Sequence, residues 1–108
     1  MRLNYYYNNP NLSPKTLCTA MDVDLVKKTI HIKNYTDNIL YRAFGVITEP
    51  TWDQFENFLA SRCVPKERYN IEDILEDYGL RDIGYDPLAI IRKTNGKMAE
   101  DHMELEIA

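Results

Sequence analysis

Arg62, Pro65 and Arg68 are the residues whose types and spacing come nearest to chemistry in this chain. The planar fork of an arginine holds a carboxylate or a phosphate by two parallel hydrogen bonds, and a reversal of the chain at Pro65 would let the two guanidinium groups converge. The plainer alternative is that each arginine ties down a helix end or pairs with a nearby acid such as Glu67 or Asp73. Just beyond lies an acidic run, Glu72, Asp73, Glu76 and Asp77, with no Lys or Arg between Tyr69 and Leu80. On a helix, Glu72–Glu76 and Asp73–Asp77 are like-charge pairs four apart, each costing a few tenths of a kcal/mol. Acids near a helix C-terminus also oppose the helix dipole. A run kept despite these costs is either a solvated face relieved by Arg68 or Arg81, or a docking patch for a basic protein surface.

Other chemistry is poorly provided for. Cys18, His31, Cys63 and His102 have the types of zinc ligands but no CxxC or HxxxH spacing, so we expect no metal. Asp101-His102 is the one acid–histidine neighbour pair; in extended chain the two point to opposite faces, which fits a turn before a strand better than a dyad. There is no glycine-rich phosphate loop, no GxSxG and no HExxH. A glycosidase would need paired carboxylates in an enclosed cleft, which exposed helical acids do not offer. The expectation is a protein without catalytic residues or cofactor.

Length and composition bound the rest. A chain of 108 residues with 44% apolar content suits one domain over 1–108, with enough core to fold without disulfides. Residues 1–66 carry eight Lys/Arg against six Asp/Glu, net +2, and residues 67–108 carry five against eleven, net −6. An acidic half argues against binding nucleic acid through its phosphates. No apolar run approaches the roughly 18 residues of a membrane span, and the N-terminus lacks the apolar core of a signal peptide. A cytoplasmic protein is expected, with Cys18 and Cys63 reduced and buried.

The elements that must position these residues can be read from periodicity. Leu3–Tyr7 is a candidate strand, in which Tyr5, Tyr6 and Tyr7 cannot all face one side; an outward ring there could seed a homodimer. Met21, Val23 and Leu25 alternate with Asp22 and Asp24, and Ile30 and Ile32 with His31 and Lys33, a hairpin over 21–33 that turns near Lys27-Lys28. The expected register sets Leu25 opposite Ile30, Asp24 opposite His31 and Asp22 opposite Lys33. Residues 34–48 are irregular. Thr51 and Gln54 form a capping box for a helix whose Trp52, Phe55, Phe58 and Leu59 make one stripe and which ends before Pro65. A second helix runs from Pro65 or Asn70 to Tyr78, with Ile71, Ile74, Leu75 and Tyr78 inward and Gly79 as its C-terminal cap. Asp86-Pro87 opens a third, carrying Leu88 and Ile91 inward with help from Ile90 and ending at Asn95-Gly96. Met103, Leu105 and Ile107 alternate with glutamates in a last strand, 103–107. The sum is an α+β fold: a small antiparallel sheet of the N-terminal strand, the hairpin and the C-terminal strand, packed against about three helices.

Trp52, Arg62, Pro65 and Arg68, followed by Ile71–Tyr78, Leu88–Ile91 and the closing stretch from Lys97 to Ile107, resemble a family of small bacterial and phage modules. In longer relatives the module precedes a HipA-like kinase domain, the toxin type of toxin–antitoxin systems. The chain departs from that pattern at the closing strand, where Met103 and Leu105 replace aromatic residues. The resemblance implies a free-standing accessory module from a mobile-element setting, regulating a HipA-like kinase. Two other expectations stand beside it: a phage-borne, anti-CRISPR-like inhibitor that meets a basic groove of a host defence protein with its acidic face, and a small nucleotide-binding protein or enzyme using Arg62 and Arg68. The expected partner contacts are Arg62, Pro65, Arg68, Glu72, Asp73, Glu76 and Asp77.

Overall fold

A computed structural model describes residues 1–9, 11, 14–98 and 101–108. Along the chain come β1 (Arg2–Tyr7), β2 (Thr16–Asp24), β3 (Thr29–Asn34), α1 (Trp52–Ser61), α2 (Ile71–Asp77), α3 (Pro87–Thr94) and β4 (Met103–Ile107). The four strands form one sheet in the order β3-β2-β1-β4, with every neighbouring pair antiparallel. This is the expected α+β arrangement of a small antiparallel sheet and three helices.

Strand alternation sorts the side chains onto two faces. Leu3, Tyr5, Met21, Val23, Ile30, Met103 and Leu105 point into a core that Phe55, Leu59, Leu75, Ile90 and Ile91 fill from the helices. Asn4, Tyr6, Asp22, His31, Lys33, Glu104 and Glu106 occupy the opposite face. Of the three tyrosines, Tyr5 meets Phe58 edge-on and Tyr7 stacks on Tyr41 with centroids 4.5 Å apart. Tyr6 is the outward ring, and the ammonium of Lys15 lies over it at 4.5 Å.

The helices begin and end where their local chemistry directs. Thr51 accepts from the Gln54 amide while the Gln54 side chain accepts from the Thr51 amide, completing the capping box. Asp86 accepts from the Leu88 amide ahead of Pro87, and Asn95 (φ 55°) and Gly96 (φ 60°) close α3 in the left-handed region. Ile90 and Ile91 are the buried residues of α3 and Leu88 is half-buried, so the inward face is turned slightly from the one expected.

The hairpin register differs from expectation by two residues. Val23, not Leu25, lies opposite Ile30, and Asp22 lies opposite His31. The cause is Asp24, whose carboxylate accepts from the amides of Val26 and Lys27, both at 3.0 Å, and so makes Leu25 the first residue of the turn. Because the slip is two residues, the paired side chains stay on their expected faces, but Leu25, expected inward opposite Ile30, lies in the turn and is 44% exposed.

Candidate functional site

The segment from the end of α1 through α2 holds the seven residues expected to meet a partner, and the structure divides them. Arg62 is the C-terminal cap of α1 and only 5% exposed. Its Nε donates to the Gly96 carbonyl at 2.8 Å, Nη1 to Asp101 Oδ2 at 2.7 Å, and Nη2 to the Met103 carbonyl at 2.9 Å and Asp101 Oδ1 at 3.2 Å. The guanidinium also lies over the Tyr5 ring, 5.6 Å from its centroid. All three nitrogens of its fork are engaged inside the molecule. It binds α1, the end of α3 and β4 together, and it is not a surface contact.

Arg68 does not converge with it. The Pro65–Arg68 turn closes through the Arg68 amide donating to the Pro65 carbonyl at 3.2 Å, and the exposed Arg68 guanidinium donates to the Asn70 side chain at 3.1 Å. A phosphate held between the two arginines therefore has no geometric basis, which removes the support for a nucleotide site at Arg62/Arg68.

Pro65, Arg68, Glu72, Asp73, Glu76 and Asp77 do form one exposed corner. Among the described residues, Glu76 alone of the four acids has an ion pair, with Arg81 at 3.4 Å across two well-exposed side chains. Such pairs contribute little, about 0–1 kcal/mol. Beside them Tyr69 stands 98% exposed. Under the corner, Lys66, Ile71, Glu72, Leu75, Arg81, Gly84 and Tyr85 line a shallow hollow of about 380 Å³. Its floor is fixed by the Tyr85 hydroxyl, which donates to the Val64 carbonyl at 2.7 Å.

The groups that titrate abnormally belong to the scaffold. Burial pushes the Cys63 thiol up to about 11 and also raises Cys18, so neither is a thiolate nucleophile at neutral pH. For Asp101, burial alone would raise the carboxyl. The Arg62 hydrogen bonds, the Met103 amide and the charge of Arg62 outweigh that effect and hold it below its ordinary value. Asp101 also accepts from the Met103 amide at 3.0 Å, so Asp101-His102 is the expected turn before the last strand. Among the described residues no group of His, Cys, Asp and Glu could hold a metal ion.

Two features escaped the sequence. Glu104, on the outer face of β4, is only 7% exposed, accepts from Asn8, and has Lys97 at 3.9 Å and Lys15 at 4.0 Å. Its alternation with Met103 and Leu105 gave its face but not its burial, which depends on those distant lysine stems. Leu40 (82% exposed) and Val46 in the irregular 35–49 stretch also face solvent, although Tyr41 and Phe44 from the same stretch pack inward. No family model matches the chain, and no curated protein or solved structure is found to be similar to it.

Proposed function

We propose that this protein works by binding another protein, without catalysis, and that the exposed corner of Pro65, Arg68, Glu72, Asp73, Glu76 and Asp77, without the inward Arg62, is its contact surface. The observation that carries the reading is the exposed acidic row Glu72, Asp73, Glu76, Asp77 beside a fully exposed Tyr69. An aromatic ring next to unpaired charge supplies the two ingredients of an interface: an apolar anchor and electrostatic steering. Enzymes place titrating groups with shifted pKa values in clefts; here the marked shifts sit in scaffold ion pairs and buried thiols instead.

The partner proposed first is a HipA-like kinase, for which the chain would be a cytoplasmic accessory or antitoxin-like regulator. That choice rests on the sequence resemblance. The acidity of the row favours a second reading, in which a host defence protein offers a basic, nucleic-acid-binding groove. Affinity in the second case falls steeply with salt, since exposed charges are screened beyond about 10 Å at 0.1 M. The test is a pull-down with the wild-type chain and with the double variant Glu72→Lys/Asp73→Lys, each at low and high salt. Loss of the captured protein on charge reversal, with the fold intact by circular dichroism, supports the surface. Undiminished capture by the variant overturns it.

A further inference from the structure

β3 is an edge strand, with no strand among the described residues paired to its outer side. The terminal ammonium and carbonyl of Met1 bond the carbonyl and amide of Val23, at 3.1 and 2.8 Å, which turns the backbone of Val23 towards β1. Antiparallel ladders alternate, so Ile30 and Ile32, opposite Val23 and Met21, direct their amides and carbonyls away from β2. Among the described residues no hydrogen bond reaches those groups. Beside them runs a groove of about 290 Å³ lined by Ile30, His31, Ile32, Thr48 and Glu49.

The charges around this edge say what fits it. On the outer face of β3 stand Thr29, His31 and Lys33, with Lys27 and Lys28 exposed in the adjoining turn. His31 has Asp22 across from it on β2, but Lys33 faces Ala20 and lies over the Tyr35 ring, 5.1 Å from its centroid. Lys27, Lys28 and Lys33 have no ion pair among the described residues. A second copy of β3 would set this uncharged-to-basic row against itself, and like charges facing across strands destabilise. Glu49 lines the groove next to His31, so the acidic position that the edge favours is the one opposite Lys33, at the far end of the strand from the Lys27-Lys28 turn.

The chain already seats one strand of complementary type. β4 presents Met103 and Leu105 to the core and Glu104 and Glu106 to the outer face, where Lys15 meets both glutamates. We infer that the open β3 edge accepts an extended segment of a partner protein that alternates apolar with acidic residues, the apolar ones beside Ile30 and Ile32 and an acidic one opposite Lys33. This contact is separate from the α2 corner, and either can fail without the other.

The probe is a synthetic nine-residue peptide alternating valine and glutamate, titrated into the isotope-labelled full chain. The Ile30 and Ile32 amide resonances shift and their hydrogen exchange slows as peptide is added. N-methylation of the peptide amides that face β3 abolishes the effect. Lys33→Glu weakens binding by up to about fivefold, the scale of one cross-strand charge pair, and reverses the preference towards a lysine-for-glutamate peptide. The inference is overturned if millimolar peptide leaves both amides unmoved, if the N-methylated peptide binds equally well, or if both amides become protected with rising protein concentration alone, which would mean that β3 pairs with itself.

Discussion

At the β4 edge of the sheet, Arg62 and Asn95 bond the outward backbone of Met103 and Leu105, whereas at the β3 edge the outward groups of Ile30 and Ile32 have no hydrogen-bond partner among the described residues. The Leu105 amide donates to the Asn95 carbonyl at 2.8 Å, Arg62 donates to the Met103 carbonyl, and Asp101 takes the Met103 amide. The β3 edge has Thr48 and Glu49 beside it and lysines along it, but among the described residues no group bonds its outward backbone. An uncovered edge is a template for another chain. Two edges of one sheet, finished so differently, separate a place where the protein needs internal order from a place where it can accept an outside strand.

Breaking the sealed edge gives the largest effects. Arg62→Ala strips donors from the Gly96 and Met103 carbonyls and leaves Asp101 unpaired, although the 39% exposure of that carboxylate side chain tempers the loss. A destabilisation of about 3 kcal/mol is expected, a fall in Tm of about 15 °C for a domain of this size. A drop of only a degree or two would mean that Arg62 does not hold the edge. Gly96→Ala comes next, at about 2 kcal/mol: φ is +60°, and an added Cβ would lie 2.8 Å from the Leu105 Cβ and 3.2 Å from its amide nitrogen, so β4 must move. Urea denaturation checks both.

Asp101→Asn sharpens the same edge through pH, at about 1 kcal/mol near neutrality. The folded-state pKa of Asp101 is depressed, so the unfolded chain takes up the proton first as pH falls. Its stabilisation is therefore complete well above the ordinary value of 3.8 and is lost as pH drops through the lower folded value. The Tm gap between wild type and variant should be open at pH 6 and close on acidification. A gap that persisted unchanged at pH 2 would assign the effect to something other than the carboxylate.

The sealed edge also shows where sequence reasoning stopped. Local signals were legible: the Thr51/Gln54 box, Asp86-Pro87, Gly79 and the alternation in 103–107 placed the three helices and the last strand near their observed positions. The first five residues of β2, Thr16–Ala20, were not read as strand, because the alternation becomes regular only at Met21. Arg62 was not legible, because its partners lie 34 to 41 residues away and no periodicity announces a side chain that leaves its own helix to bond another element's backbone. Its closeness in sequence to Arg68 suggested a shared site that the fold does not build. The hairpin slip had a local cause, an Asx turn at Asp24, and the Asp-Leu-Val-Lys stretch could have flagged it. The acidic exposure of α2 was read correctly from spacing, since a short helix with one buried face leaves Glu72, Asp73, Glu76 and Asp77 nowhere else to point.

The smallest expected effect lies at the open edge, and there its smallness is the point. Lys33→Glu should change stability by no more than about 0.5 kcal/mol, because the ammonium makes no ion pair among the described residues and only an exposed approach to the Tyr35 ring. Hydrogen exchange then compares the two edges directly in the isolated protein. The Leu105 amide, bonded to Asn95 and buried, should open only with the larger unit formed by α3 and β4. The Ile30 and Ile32 amides, without an acceptor, should exchange on the order of a hundredfold faster or more, although they belong to the same sheet. Equal protection at both edges would mean that an acceptor reaches β3 in solution, and would return that strand to the class of sealed edges.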